Sequence, residues 1–374
     1  MEVVIEKRNQ ATQVFEAMCE TLDLTPSQYE DAEAKYKAVG EWLSKLDSEL
    51  ARFKPKVYAQ GSFSLGTCSK PVGRDEFDLD SVCQMEILSD TNQKLVKAMV
   101  GKRLEKNGKY KEILEEKNRC WRLNYVGEFH LDVLPAIPDL MRRDNSILIP
   151  DRELQCWKES NPLAFAKWFE ERMKKVKTFM LESLRTDVQD LPYGGYFLKT
   201  PLQRAVQILK RHRDVAFKNK KDYKPASIII TTLAAKAYDG ETDLFSGLWN
   251  IVQRIPEHIQ FVGNVPKVLN PTNEKENFAE KWEDKDGHQL YSYFQDWLKS
   301  VRQHLSELVG VREMTELSES MKCYFGEEII RPTFSRYTEK MEKLRAEKKL
   351  HVANTSVMLG SVGMLVKPHT FYGD

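Results

Sequence analysis

Two aspartates one residue apart, Asp78 and Asp80, sit inside the apolar run Phe77-Asp78-Leu79-Asp80-Ser81-Val82. In a strand alternate residues share a face, so both carboxylates point the same way. Two acids side by side repel each other unless something cationic lies between them. A pair of Mg²⁺ ions about 4 Å apart is such a partner, and two such ions can clamp a phosphoryl transfer. The pair therefore demands a strand that opens onto a polar site.

The flanking stretches supply what such a site needs. Val57-Tyr58-Ala59-Gln60 reads as a short strand that runs into Gly61-Ser62-Phe63-Ser64-Leu65-Gly66-Thr67. A Gly-Ser pair lets the backbone turn tightly and present N–H groups at a helix start, where they favour a phosphate. Downstream, Glu128-Phe129-His130-Leu131-Asp132-Val133-Leu134 places a third carboxylate, Asp132, in strand-forming residues that end before Pro135. An isolated Asp-x-Asp is common at solvated strand ends, and a Gly-Ser step is equally common. The ordered triple is far more specific.

This order of motifs resembles the nucleotidyltransferase superfamily related to DNA polymerase β. More narrowly, Gln60-Gly61-Ser62 through Gly66-Thr67, leading to Asp78 and Asp80, is similar to the bacterial cyclic-oligonucleotide synthases. These are relatives of cyclic GMP-AMP synthase and oligoadenylate synthase. Fifteen residues separate Ser62 from Asp78, slightly more than is usual, which implies a small insertion in the turn. The resemblance implies an α+β fold. A polymerase-β-like lobe of mixed sheet and helices (1–160, with a long N-terminal bracing helix) would be followed by a mainly helical C-terminal lobe (161–374). The active site would lie in the cleft between them.

The resemblance also implies roles. Asp78 and Asp80 would bridge two Mg²⁺ ions (Mn²⁺ can substitute), and Asp132 would bind one ion and act as general base. Gln60, Gly61, Ser62 and Thr67 would contact a nucleotide triphosphate, with Lys210 and Ser227 opposite them. The product would be a cyclic di- or trinucleotide made from NTPs with release of pyrophosphate, a signal for a separate effector in defence against phage. A linear oligonucleotide, nucleotide transfer to another acceptor and a non-catalytic nucleotide-binding module share the fold. The three converging acids count against the last.

Composition narrows the partners. Lys plus Arg is 57 and Asp plus Glu 56 in 374 residues, so no global basic field exists to attract nucleic acid. No apolar run approaches the roughly 18–20 residues of a membrane span. The N-terminus lacks the pattern of a signal peptide, and a cytoplasmic location is expected. Cys19, Cys68, Cys83, Cys120, Cys156 and Cys323 are scattered without metal-ligand spacing, which reads as reduced thiols. The zinc insertion of the vertebrate synthases is missing, so no DNA-sensing role is expected.

Along the chain, Thr25-Pro26 opens a long helix with a stripe of Tyr29, Ala32, Tyr36, Val39, Leu43 and Leu46. Lys54, Lys56, Lys70 and Arg74 surround the acids with positive charge, and Glu76 shares their face. Residues 91–114 read as a helix broken at Lys106-Asn107-Gly108-Lys109, and residues 120–125 as a strand. Residues 141–151 read as a polar connection, and Asn161-Pro162 as the start of a helix. From there to about residue 350 the pattern is helical. Thr200-Pro201-Leu202-Gln203 is a capping box that opens the helix carrying Lys210. Ser227 stands where its hydroxyl can cap the next helix. The end, from Val366 to Asp374, is expected to be extended, and Gly373 is penultimate. Some relatives join a glycine-ending tail to targets through a partner enzyme, and Asp374 departs from that pattern.

Overall fold

The computed structural model describes residues 2–71, 76–142, 144–153, 155–186, 198–311, 313–347, 350–353, 356–359 and 364–365. Helix α1 (Glu2–Leu22) precedes α2 (Pro26–Ser44), whose start is the capping box expected at Thr25 and Gln28. The apolar stripe of α2 ends sooner than expected: the helix stops at Ser44, and Leu46 is 95% exposed. Helix α1 packs against the C-terminal helices. Its Val14, Phe15, Met18, Cys19 and Leu22 recur at helical spacing and are buried among the C-terminal helices.

The sheet follows. Strand β1 (Lys56–Gln60) leads into one turn of helix, α3 (Gly61–Ser64), and then β2 (Phe77–Gln84). Helices α4 (Gln93–Glu105) and α5 (Gly108–Ile113) break where Asn107 caps the second of them. Strands β3 (Leu114–Glu116), β4 (Trp121–Tyr125), β5 (Phe129–Pro138), β6 (Ile147–Asp151) and β7 (Cys156–Ser160) complete it. The spatial order is β1-β2-β5-β4-β3, with β6 and β7 continuing from the far end of β5. Only β2 and β5 run parallel. Residues 147–151, expected as part of a polar connection, are therefore a strand, and so are residues 156–160. They pair with each other as a hairpin, and β6 also pairs with the end of β5.

Phe77, Leu79, Phe129 and Leu131 point from β2 and β5 into a core shared with α2 and α4. Alternation then forces Asp78, Asp80, His130 and Asp132 onto the opposite face. A larger core belongs to α1, α6 (Pro162–Thr186), α7 (Pro201–Ala216), α8 (Ser227–Ala237), α9 (Leu244–Arg254) and the later helices. Between them, short hairpins interrupt the expected helical run: β8 (Gln260–Val262) with β9 (Val265–Lys267), and β10 (Leu269–Asn270) with β11 (Asn273–Asn277). Helices α10 (Gly287–Gly310), α11 (Met314–Phe325) and α12 (Glu327–Ala346) close the lobe. The segment from Val366 to Asp374, including Gly373, lies outside the described residues, as does Arg74.

Candidate active site

Parallel pairing of β2 with β5 puts Asp80 directly opposite Asp132, and Asp78 opposite His130. The third acid, distant in sequence, thus reaches the face of the first two by register alone. Asp80 opens onto a cavity yet is densely enclosed by protein, and its carboxyl is pushed up to about 7. Burial is the main cause, followed by the charges of Asp132 and Asp78. A cation is the natural relief for such a group.

Arg122 of β4, paired with Asp132 in the ladder, supplies one. Its Nε and Nη2 donate to Oδ1 and Oδ2 of Asp132, each at 2.7 Å. The same Nη2 stands 3.2 Å from Asp78 Oδ1. Glu76 lies behind: it holds His130 Nε2 at 2.8 Å and accepts from the Gly127 amide at 2.6 Å. His130 Nδ1 in turn faces Asp78 Oδ1 at 3.3 Å. With the guanidinium between Asp78 and Asp132, no three acidic, histidine or cysteine side chains among the described residues enclose a metal as they stand. The donor set itself suits Mg²⁺, since it is all carboxylate oxygen.

The turn from Gly61 to Thr67 borders these acids. Gly61 begins α3 with φ +63°, and a β-carbon there would overlap Asp80 Oδ2. Gln60 precedes it as the helix cap and pairs with Asp80 across the β1–β2 ladder. Thr67 is buried, its amide bonded to Ser62 O at 2.9 Å.

One face of α7 grips this turn. Gln203, Gln207, Lys210 and Arg211 donate to the carbonyls of Leu65 (3.0 Å), Cys68 (2.7 Å), Thr67 (3.1 Å) and Pro71 (3.1 Å). Their three- and four-residue steps place them along one side of the helix. Lys210 is only 8% exposed, and burial lowers its pKa. Its ammonium therefore gains from an anion.

Ser227 departs from its expected role. The cap of α8 is Ala226, and Ser227 is the first helical residue. Its Oγ instead accepts from Arg213 Nη1 at 2.8 Å, and that same nitrogen donates to Pro225 O at 3.1 Å. A residue at the first helical position already turns inward, so its hydroxyl meets a tertiary neighbour before its own backbone.

A cavity of about 860 Å³ gathers Gly61, Ser62, Thr67, Asp78, Asp80, Lys210 and Ser227 on one wall or another. Gln60 and Asp132 do not line it. Lys218, Lys221 and Lys224 do, from the segment between α7 and α8. The run Phe217-Lys218-Asn219-Lys220-Lys221-Asp222-Tyr223-Lys224 carried this signal, but a basic loop reads equally as solvated surface. Of the basic residues near the turn, Lys70 lines the cavity, whereas Lys54 pairs with Glu86 at 2.9 Å. A second cavity of about 840 Å³ adjoins the first through a shared wall of Lys221, Lys224, Pro225, Ala226 and Ile228. Arg119, Trp157, Lys158 and Phe278 line its far side.

Residues 10–172 match the family of the Second Messenger Oligonucleotide or Dinucleotide Synthetase domain. Over the whole of both chains, the sequence is 32% identical to the c-di-GMP synthase of Roseivirga ehrenbergii. The chain belongs to the CD-NTase family. It is therefore a nucleotidyltransferase, and its family makes cyclic dinucleotide second messengers from nucleotides in a reaction dependent on divalent metal. The fold agrees. The structure of the Bradyrhizobium diazoefficiens CD-NTase CdnG in complex with GTP superposes with a TM-score of 0.71. That match has 21% identity and covers 87% of this chain and 97% of the other. The Escherichia coli CdnC:HORMA complex contains a chain that matches with a TM-score of 0.61, at 11% identity. It covers 84% of this chain and 96% of that one. All six cysteines are free thiols, and no helix among the described residues is long and apolar enough to cross a membrane.

Proposed function

We propose that this chain joins two purine nucleoside triphosphates, GTP foremost, into a cyclic dinucleotide. The observation that carries the reading is the single cavity bordered by the phosphate turn, two of the three aspartates, Lys210 and Ser227. GTP is favoured because the full-length relative from Roseivirga is a c-di-GMP synthase. The second cavity, of similar volume, gives a second nucleotide room beside the first.

In this reading Asp78, Asp80 and Asp132 would hold Mg²⁺. Divalent ions bound there neutralise the phosphates and lower the pKa of the attacking hydroxyl. Ser62 and the backbone amides of the turn hold the donor phosphates, and Lys210 donates to them from the other side. A ribose hydroxyl oxygen of the second nucleotide bonds to the donor's α-phosphorus. The bond from that phosphorus to the β-phosphate bridging oxygen breaks, pyrophosphate leaves, and the hydroxyl proton passes to an Asp132 oxygen. A second round within the linear intermediate closes the ring. Positioning and charge neutralisation supply most of the effect. The product would act on a separate effector in antiphage defence. A HORMA-type regulator is a partner to test, because CdnC forms such a complex.

The test is incubation with each NTP labelled at the α-phosphate, with Mg²⁺ or Mn²⁺, then phosphatase and mass spectrometry. A phosphatase-resistant product with the mass of a two-nucleotide ring is expected, and it should vanish in Asp78→Asn/Asp80→Asn. A phosphatase-sensitive ladder would instead establish a linear oligonucleotide synthase.

A further inference from the structure

Arg122 occupies a position that metal catalysis needs to be free. Its fork saturates both oxygens of Asp132 at 2.7 Å, and its Nη2 also reaches Asp78 at 3.2 Å. Among the described residues it is the only ion-pair partner of Asp132. The bidentate arrangement is the strong form of an arginine–carboxylate contact. A divalent ion that ligates Asp132 must therefore displace at least one arm of the guanidinium, and two positive charges would then stand within a few ångströms of each other.

We propose that Arg122 is a positioning residue that acts as the resident counter-ion of the metal-free site and competes with the divalent ion for Asp132. Three facts support the exchange. The guanidinium holds Asp132 in the orientation that its register with Asp80 sets up. It also stands between Asp78 and Asp132 and so relieves part of the repulsion among the three acids. Third, Asp132 is the acid that lines neither cavity, so the guanidinium, not solvent, satisfies it before substrate arrives. The consequence is an order of events. In the nucleotide-free enzyme the metal position at Asp132 stays closed. The phosphates of an arriving nucleotide would draw the guanidinium away, leaving Asp132 free to hold a divalent ion. Hydroxyl activation is thereby withheld until nucleotide is present.

This inference rests on the proposal that the three aspartates hold metal, and one titration separates the two. Mn²⁺ binding to nucleotide-free protein is measured by electron paramagnetic resonance for the wild type, Arg122→Met, Arg122→Lys, Asp80→Asn and Asp132→Asn. Removing a charge at this distance should tighten Mn²⁺ binding at least about tenfold in Arg122→Met. The gain should disappear when Asp132→Asn is added, since there is then nothing to compete for. If Arg122→Met melts too low to titrate, Arg122→Lys keeps a charge without the fork and should still gain about threefold. Unchanged or weaker Mn²⁺ binding in the arginine variants, or a gain that survives Asp132→Asn, overturns the inference. Mn²⁺ binding that is the same in wild type and Asp80→Asn would instead overturn the metal-site reading beneath it.

Discussion

Gly61 and Asp80 meet where β1 hands over to the turn from Gly61 to Thr67, and the contact leaves no room for a side chain on Gly61. The backbone there has φ +63°, and a β-carbon would overlap Asp80 Oδ2. Gly61→Ala should therefore strain the turn and push the Asp80 carboxylate aside. Expected are a stability loss of about 1–3 kcal/mol and a fall in turnover of at least about a hundredfold. Thermal melting and initial rates at saturating NTP check both. An alanine variant with normal rates would show that Asp80 needs no fixed position.

Asp80 also sets a pH dependence. Its carboxyl in the folded chain lies at about 7 against an ordinary 3.8, because of burial and then its acidic neighbours. Between these values the folded state keeps a proton that the unfolded state has lost. Metal-free stability should therefore be highest below about pH 4 as far as this group is concerned, fall as pH rises, and level off above about 7. Melting curves in EDTA from pH 5 to 8 should show the decline. Asp80→Asn should flatten it.

Lys210 is a buried ammonium, a cost that a phosphate bound as proposed would offset. Lys210→Met should raise the KM for NTP at least about tenfold, the worth of one charge-assisted bond. The melting temperature should not fall, since the methionine has no charge to desolvate. A variant with unchanged KM would remove Lys210 from the phosphate site.

Asp23 ties the start of the chain to α7. It accepts from Lys199 at 2.5 Å, Arg204 at 2.6 Å and Gln207 at 3.0 Å. Burial raises its pKa, but Arg204 and Lys199 outweigh this and the net direction is down. Asp23→Ala would remove the carboxylate that Lys199 and Arg204 share and should cost about 3–5 kcal/mol in urea unfolding. In the wild type this contribution should be present above pH about 4 and fade below it, as the folded carboxylate takes up its proton. Because Gln207 also donates to Cys68 O, Asp23→Ala should loosen the turn and raise the KM for NTP as well.

Local rules made much of this chain legible. Capping at Thr25 and Thr200 marks two helix starts without any knowledge of partners, because a cap satisfies backbone groups within four residues. Period-two alternation places Asp78 and Asp80 on one face for the same reason. Leu46 shows the limit of such rules, since a stripe cannot say where packing stops. The strands at 147–151 and 156–160 form a hairpin with each other, and they escaped because polar and charged residues interrupt the alternation that marks a strand. Ser227 was misplaced by a single residue, enough to turn its hydroxyl from its own helix to Arg213.

What the sequence by itself determined is the set of chemical groups, three acids and a glycine turn, and the strand face on which two of the acids stand. Only tertiary structure decided that Asp132 lies opposite Asp80, that α7 grips the turn through four carbonyls, and that Arg122 sits between the acids. The reason is physical. Alternation and capping are settled by neighbours along the chain, whereas register and ion pairing are settled by which surfaces the whole chain must bury together.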